Sequence, residues 1–296
     1  METIVLKLPT DFNQASCLRY LDRSPLELLH RVEEEQIYKL IPIPDAEPIL
    51  LRLSFLPAQQ LQLELLNRSP QESEKKIVQA YVEQWWDLGR DLSPFYGLAE
   101  RNVLLSKALI GNRGLPLMGV PDLFEAICWS ILGQQINLPF AYQLKSRVVQ
   151  NYGQSYEWEG QDYWLFPEPA ALAETTVEAL FSLKITRRKC EYLIGIAQAM
   201  LDGTLSKAKL LAERSAQAAE KTLVAQRGIG PWSANYVMMR CLRYPDAYPV
   251  GDAGLQNAVK RLLMMERKPT ETELYELAED WKGWEAYATF YLWAAK

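Results

Sequence analysis

Histidine and cysteine are scarce in this sequence of 296 residues, which contains one histidine and four cysteines. Because His30 is the only histidine, metal sites built on several histidines are excluded, and a histidine-based catalytic triad is disfavoured. The cysteines are scattered at Cys17, Cys128, Cys190 and Cys241. This spacing predicts neither a C-x-x-C metal knuckle nor a disulfide framework.

Long apolar runs are also absent, and no stretch of the sequence suits a bilayer-spanning helix. The first residues, METIVLKLPTDF, lack the charged start and apolar centre of a signal peptide. We therefore expect a cytoplasmic protein without a membrane partner. The hydrophobic content of 49% and the charged content of 23% are those of a globular protein with a substantial core.

The net charge of −5 mildly disfavours nucleic-acid binding, which depends on neutralising phosphates. Basic residues nevertheless concentrate in the second half of the chain, at Arg187, Arg188, Lys189, Lys221, Arg227, Arg240, Arg243, Lys260, Arg261, Arg267 and Lys268. A basic face on an acidic protein is compatible with a DNA-binding enzyme. An ordinary mixed surface explains these charges equally well.

Residues 1–67 are predicted to form an α+β domain with an antiparallel sheet. Apolar and polar residues alternate in several short segments, as in LQLEL at residues 61–65. Residues 13–31 are predicted to be helical, either continuously or with a break at Ser24. This domain contains no functional motif.

The rest of the chain, after the polar connector at residues 67–73, is predicted to be mainly helical. Residues 122–132, DLFEAICWSIL, have the spacing of an amphipathic helix that buries Phe124, Ile127 and Ile131. Residues 156–166, YEWEGQDYWLF, are aromatic but irregular, and we expect a packed loop there.

Residues 217–256 contain the most informative pattern. A helical run ends near Gln226, the turn RGIG follows at residues 227–230, and Pro231 opens a second helix that runs to Leu242. This pattern predicts a helix–hairpin–helix, in which free N–H groups at the tip form an anion site for a phosphate.

A carboxylate, Asp252, follows the hairpin in the segment YPVGDAGL. It should stand at the start of the next helix, beside the groove. An N-cap is the common role of an aspartate in that place, and a catalytic role is the alternative.

The strings LVAQRGIGPWSANY and YPVGDAGL together resemble the helix-hairpin-helix (HhH-GPD) DNA glycosylase superfamily, and within it the DNA-3-methyladenine glycosylase II (AlkA-type) branch. The resemblance implies an active cleft between two helical lobes. One lobe would comprise residues 113–231, and the other residues 68–112 with residues 232–296, which carry the catalytic aspartate. The N-terminal sheet domain would be chiefly structural.

The resemblance also implies roles for individual residues. Asp252 would be catalytic, and Gln135 would be the wedge that fills the space of an extruded nucleotide. From the residues alone, a capped and solvated helix junction at Gln134 and Gln135 is equally compatible. The DNA-binding residues would be Gln134, Gln135, Arg227, Gly228, Ile229 and Gly230.

The base pocket would be formed by Trp232, Tyr236 and Trp284. The first two stand four residues apart and share one helical face, which suits a wall for a flipped base. Aromatic residues at helical spacing are also common in cores. Ala253 stands where the family often has a tyrosine, which predicts a roomier pocket.

The implied cofactor requirement is small. Backbone carbonyls of Val224, Gln226 and Ile229 would bind Na⁺ or K⁺ at the hairpin, and no other cofactor is expected. Relatives of the endonuclease III type carry four clustered cysteines for an iron–sulfur cluster, and this C-terminus has none.

Bifunctional relatives have a lysine at the position of Trp232, and tryptophan cannot form a Schiff base. We therefore expect a monomeric, monofunctional glycosylase without AP-lyase activity, which acts on double-stranded DNA containing damaged bases. Asp252 would stabilise an oxocarbenium-like sugar. Alkylated purines such as 3-methyladenine and 7-methylguanine, being cationic, are good leaving groups that stack on indoles.

Two alternatives remain open at this point. One keeps the fold and changes the base to uracil, hypoxanthine or a mismatched base. The other is a non-catalytic protein that binds DNA structure through its hairpin.

Overall fold

The computed structural model describes residues 2–295 and shows a sheet domain joined to a larger helical body. The first part contains β1 (Glu2–Lys7), α1 (Gln14–Leu21), β2 (Arg31–Glu33), β3 (Gln36–Ile43), β4 (Ala46–Leu56) and β5 (Gln60–Leu65). These strands form one antiparallel sheet in the order β1-β5-β4-β3-β2.

The helical body follows in chain order. Its elements are α2 (Glu72–Trp86), α3 (Ser93–Ala99), α4 (Val103–Leu109), α5 (Leu123–Leu132), α6 (Leu138–Tyr152), β6 (Ser155–Trp158), β7 (Gln161–Trp164), α7 (Pro169–Ala173), α8 (Val177–Ser182), α9 (Arg187–Leu201), α10 (Lys207–Leu211), α11 (Ala216–Val224), α12 (Pro231–Val237), α13 (Ala253–Leu262), α14 (Glu271–Ala278) and α15 (Glu285–Ala294). A π-helical turn, Met238–Leu242, extends α12, and a short 3₁₀ turn, Glu279–Trp281, follows α14.

The sheet covers α2 with the apolar side chains that alternation predicts. Leu61, Leu63 and Leu65 are buried, whereas the polar residues between them are not. On the helix side, Trp86 is fully buried, and its ring stacks on Phe55 with the ring centroids 5.8 Å apart. The predicted α+β domain and mainly helical body are confirmed.

Two local predictions were wrong. At residues 13–31 the chain does break at the Ser24-Pro25 pair, since α1 ends at Leu21, but the residues after this pair are not helical, and residues 31–33 form β2 instead. The predicted loop at residues 156–166 contains the β6–β7 hairpin. Its two turn residues, Glu159 and Gly160, both have positive φ, as a tight two-residue hairpin requires.

Helix α5 lies in the middle of the helical body. Phe124, Ile127 and Ile131 are buried as predicted, and α5 packs against α6, α9 and α12. The predicted second hairpin helix also runs from Pro231 to Leu242, although its last turn is π-helical.

Buried charges connect the sheet domain to α5 and α6. The Lys145 ammonium lies 3.0 Å from carboxylate oxygens of both Glu27 and Glu125. Burial opposes ionisation of the Glu27 carboxyl, but the neighbouring Lys145 ammonium lowers the pKa of Glu27 to about 2. Nearby, the His30 imidazole Nε2 lies 3.0 Å from the carbonyl oxygen of Leu21, and burial lowers the pKa of His30 to about 4. The sheet domain and the helical body are thus joined by a polar cluster in which Lys145 and Glu27 are charged and His30 is neutral.

Replacing His30 with glutamine should make stability less dependent on pH. The folded-state pKa of about 4 lies below the ordinary value of 6.5, so protonation favours the unfolded chain. The stabilising contribution is therefore complete above pH 6.5 and is lost as the pH falls towards 4. Between pH 6.5 and pH 4, the free energy of unfolding of the wild type should fall by on the order of 2 kcal/mol more than that of His30→Gln.

Denaturant unfolding of the tag-free proteins at several pH values measures this difference. Glutamine keeps an N–H donor for the Leu21 carbonyl, which makes it the matched replacement. Parallel stability curves for the two proteins would show that His30 does not resist protonation in the folded state.

Candidate active site

The Asp252 carboxylate is held by donors from three helices. It caps α13, where Oδ1 accepts a hydrogen bond of 2.7 Å from the Leu255 N–H. The Trp293 indole on α15 donates to the same oxygen at 2.8 Å, and the Trp232 indole on α12 donates to Oδ2 at 3.1 Å. Three donors around the group suit an ionised carboxylate, which can only accept hydrogen bonds. The N-cap interpretation and the site interpretation are therefore compatible.

The two oxygens of Asp252 are not equivalent. Oδ1 accepts two hydrogen bonds, whereas Oδ2 accepts one among the described residues. A carboxylate oxygen has two acceptor positions. The remaining position on Oδ2 is therefore available to a group that enters from outside.

An aromatic wall stands beside this carboxylate. Trp232 and Tyr236 share one face of α12, and their rings stack with centroids 5.6 Å apart and an angle of 28°. The Trp293 ring lies 6.2 Å from that of Tyr236. Gly254 permits the close approach of Trp293, because a Cβ there would lie 2.9 Å from Oδ1 of Asp252 and 3.3 Å from the indole.

Asp252 and the aromatic wall line an open cavity of 1320 Å³. This volume exceeds the roughly 300–1,000 Å³ of common small-molecule pockets, as a cleft for a larger ligand requires. The cavity is also lined by Ala253 and, from the N-terminal domain, by Arg19, Tyr20 and Arg23 on or just after α1. Helix α1 of the domain that we expect to be chiefly structural therefore also forms part of the cleft.

The hairpin between α11 and α12 depends on a glycine. Gly228 has a φ of 98°, and a Cβ at this position would lie 2.3 Å from the Tyr192 ring. Gly230 is the N-cap of α12, and Ile229 is buried beneath the turn. Within residues 2–295, the N–H groups of Gly228 and Gly230 have no hydrogen-bond acceptor. The tip therefore presents free donors at a helix N-terminus.

Gln134 joins this hairpin to the junction between α5 and α6. Its side-chain amide donates to the Gly228 carbonyl at 2.9 Å and to the Ser233 hydroxyl at 3.1 Å. Gln135 has a different position, since it is exposed, lines the cavity and has a φ of 56°. Gln134 therefore has the structural role of a residue at a helix junction, whereas the Gln135 side chain is exposed to the cavity.

Arg227 lies on the outside of the hairpin. Its side chain is 74% exposed, and it forms an ion pair of 2.6 Å with Glu191. An exposed ion pair contributes little to stability, so this guanidinium can change partners at small cost.

A model of the HhH-GPD superfamily of base excision DNA repair proteins matches residues 128–283, which include the second half of α5, the hairpin and Asp252. A relative named DNA-3-methyladenine glycosylase from Bacillus subtilis is 44% identical over 99% of this chain and 96% of its own length. The chain belongs to the HhH-GPD superfamily.

Another relative agrees with this assignment, and a solved structure shares the fold. DNA-3-methyladenine glycosylase 2 of Escherichia coli is 34% identical over 65% of this chain and 64% of its own length. The structure of a 3-methyladenine DNA-glycosylase from Archaeoglobus fulgidus superimposes with a TM-score of 0.85, covering 98% of this chain and 97% of the other at 22% identity. The predicted family and the predicted fold are confirmed.

We predicted that Trp284 forms part of the base pocket, but in this HhH-GPD protein it does not line the cavity. It is the N-cap of α15, and its ring packs 5.3 Å from that of Tyr287 and 5.9 Å from that of Phe95. At 3.6 residues per turn, the nine positions from residue 284 to residue 293 correspond to about two and a half turns. Trp284 and Trp293 therefore point in opposite directions, and only Trp293 reaches Asp252.

The three hairpin carbonyls predicted as cation ligands differ in their hydrogen bonding. The Gln226 carbonyl accepts a hydrogen bond of 3.1 Å from the Ile229 N–H, whereas the carbonyls of Val224 and Ile229 accept none within residues 2–295. Two of the three predicted ligands are therefore free to bind a cation.

Within residues 2–295, no cluster of three or more histidine, cysteine or acidic side chains could hold a metal ion. None of the helices in this range combines the length and the apolar character that a membrane span requires.

Replacing Gly228 with alanine should disrupt the hairpin. The positive φ and the contact with Tyr192 both oppose a Cβ, so we expect a loss of about 2 kcal/mol or more. Gly195 in α9 is the matched control, because a Cβ there meets nothing within 4 Å. Gly195→Ala should be neutral or stabilising by up to about 1 kcal/mol.

Denaturant unfolding of the two variants, with duplex DNA binding measured in parallel, tests this requirement. Equal stabilities for the two alanine variants would contradict the role assigned to Gly228.

Proposed function

We propose that this protein is a monofunctional DNA glycosylase of base excision repair, which hydrolyses the N-glycosidic bond of alkylated purines such as 3-methyladenine and 7-methylguanine. The observation that carries the proposal is the Asp252 carboxylate, fixed by two indoles at the end of an aromatic wall. The names of the relatives from Bacillus subtilis and Escherichia coli support the same class of substrate.

The reaction begins when the damaged nucleotide leaves the duplex and its base enters the cavity. Extrusion costs a few kcal/mol, which stacking on Trp232, Tyr236 and Trp293 offsets. A base alkylated at N3 or N7 is cationic, and cations are attracted to the faces of electron-rich rings. Gln135, exposed beside the cavity, is placed to fill the space that the nucleotide leaves.

Asp252 then acts on the sugar. As the bond between C1′ and the base breaks, positive charge develops on the sugar ring, and Oδ2 is the carboxylate oxygen with a free acceptor position. A negative charge about 4 Å away stabilises such a cation by several kcal/mol at the edge of a protein. The cationic base leaves as a neutral molecule without a proton donor, and water completes the hydrolysis.

The hairpin would hold the DNA backbone. A phosphate oxygen can accept from the free N–H groups of Gly228 and Gly230, and Arg227 can exchange its partner Glu191 for a phosphate. A monovalent cation on the carbonyls of Val224, Gln226 and Ile229 would add positive charge behind these donors. We propose that the protein needs no other cofactor and acts as a cytoplasmic monomer.

The absence of AP-lyase activity is part of the proposal. A lyase of this type needs an amine that attacks C1′. The described residues that line the cavity include no lysine, and the indole of Trp232 already donates to Asp252. Treatment with borohydride during the reaction should therefore trap no covalent complex with DNA.

Replacing Asp252 with asparagine should slow the release of 3-methyladenine and 7-methylguanine from methylated duplex DNA about 100-fold or more. The variant loses the negative charge that faces the sugar, while asparagine is an equally good N-cap and preserves α13. Chromatography of the released bases measures the rate, and a DNA-binding titration shows that the variant still binds. Full activity of Asp252→Asn would remove the catalytic assignment.

Replacing Trp293 with phenylalanine should slow base release roughly tenfold, because Oδ1 loses one donor while the aromatic surface remains. Trp284→Phe is the control, since its ring is partly buried against the core and does not line the cavity. Base release under single-turnover conditions, with the melting temperature of each variant, distinguishes the two tryptophans. A larger kinetic effect at Trp284 would reverse their assignment.

A further inference from the structure

A group of arginines and tyrosines adjoins the end of the aromatic wall that is opposite Asp252. We name Tyr20, Arg23, Tyr142, Tyr236 and Arg240 the arginine–tyrosine cluster. The Arg23 guanidinium lies 4.1 Å from the ring centroid of Tyr20 and donates to the Tyr142 hydroxyl at 2.7 Å. The Arg240 guanidinium donates to the Tyr236 hydroxyl at 3.2 Å. The cluster thus places two positive charges beside the cavity.

Neither guanidinium is neutralised by a carboxylate. Among residues 2–295, no carboxylate oxygen lies within 4.0 Å of Arg23 or Arg240. The acidic residues nearby, Glu27 and Glu125, are both paired with Lys145. Arg240 is only 5% exposed. A buried charge without a counter-charge is costly to maintain, so its presence beside a cleft points to a functional role.

The surroundings of Tyr20 show the same excess of positive charge. Burial opposes ionisation of its hydroxyl, yet the charges of Arg23 and Arg240 lower the pKa of Tyr20 below its ordinary value. Apart from Asp252, the described residues that line the cavity include no acidic side chain. The cavity is therefore negative at Asp252 and positive at the cluster.

The wall between these two ends determines how a base lies. Asp252 accepts from Trp232, the Trp232 ring stacks on Tyr236, and the Arg240 guanidinium lies 5.5 Å from the Tyr236 ring centroid. With C1′ beside Asp252, a stacked purine directs the edge farthest from the sugar towards Arg240. That edge carries the substituent at C6 of the purine.

Arg240 has a nitrogen available for this edge. Its Nε donates to the Met118 carbonyl at 2.5 Å and its Nη1 donates to Tyr236, whereas Nη2 has no acceptor within residues 2–295. A guanidinium donates hydrogen bonds and never accepts them. A carbonyl oxygen at C6 of the purine would therefore accept a hydrogen bond from Nη2 of Arg240, whereas an amino group at C6 would place a second donor against it.

We propose that Arg240 is a specificity-determining residue that favours purines with an oxygen at C6, such as 7-methylguanine and hypoxanthine, over purines with an amino group at C6. The inference rests on the proposed function. The electron pair of the C1′–N9 bond leaves with the base, and water supplies the oxygen at C1′. A neutral purine such as hypoxanthine takes a proton from water on release. For such a neutral purine, the positive charge of Arg240 stabilises the negative charge that develops on the base as it departs.

A comparison of free hypoxanthine with free adenine tests this inference in the wild-type protein, because the two bases differ only in the group at C6 and in the proton on the adjacent N1. Quenching of tryptophan fluorescence reports binding, since Trp232 and Trp293 line the cavity. We expect the dissociation constant of hypoxanthine to be about tenfold lower than that of adenine. Equal binding, or tighter binding of adenine, would overturn the inference.

Variants of Arg240 test the same point in the reaction. Methylated duplex DNA contains both 7-methylguanine and 3-methyladenine, so one reaction gives the ratio of their release rates. This ratio should fall about tenfold in Arg240→Met and recover in Arg240→Lys, which keeps a charged donor. Arg261→Met, at another cavity-lining arginine, should leave the ratio unchanged.

The outcomes separate this inference from the proposed function. If the wild type releases alkylated bases and the ratio is the same in a folded Arg240→Met variant, the inference alone fails. If the wild type releases no alkylated base, the proposed function fails, and the binding of free hypoxanthine and adenine still decides the role of Arg240. If Arg240→Met does not fold, the same binding comparison decides it.

Discussion

Three donors on separate helices converge on the Asp252 carboxylate, and the candidate site depends on this arrangement. The hairpin starts α12 where Trp232 can reach Oδ2, and α15 brings Trp293 to Oδ1. Helix α13 contributes its own N–H at Leu255. Each donor uses one hydrogen bond to fix a charge that faces open space, so the protein maintains the charge before any ligand arrives. Movement of any one helix would release one of the donors.

The surrounding structure holds these helices in place. Gln134 ties the α5–α6 junction to the hairpin carbonyl, and the Lys189 ammonium donates to the carbonyls of Leu132 and Gln134 at 2.8 Å each. On the other side, Lys145 connects the sheet domain to α5 through two carboxylates. The sheet domain can therefore bring Tyr20 and Arg23 to the cleft, although its sequence contains no functional motif. Rigid support of this kind is what a positioned charge requires.

Local spacing was enough to predict the hairpin and Asp252, because each is defined by residues close together in the sequence. The helix turn, its glycines and the capping aspartate all lie within one segment of 40 residues, from 217 to 256. Trp293 and Tyr20 were missed for the opposite reason. Trp293 reaches the site through the packing of α15 against α13, and Tyr20 reaches it from α1, where its ring lies 4.9 Å from that of Phe290 on α15. No local pattern distinguishes these two residues from core residues. Trp284 and Trp293 point in opposite directions from α15, and the sequence alone does not show which of them faces Asp252.

The central claim is that the Asp252 carboxylate stabilises positive charge on the sugar. Two duplexes test it directly, one with a cationic pyrrolidine and one with a neutral tetrahydrofuran in place of the damaged nucleotide's sugar. One positive charge near a partly buried carboxylate corresponds to several kcal/mol. We therefore expect the pyrrolidine duplex to bind at least about tenfold more tightly, and we expect this difference to disappear in Asp252→Asn. Equal affinities of the wild-type protein for the two duplexes would contradict the account.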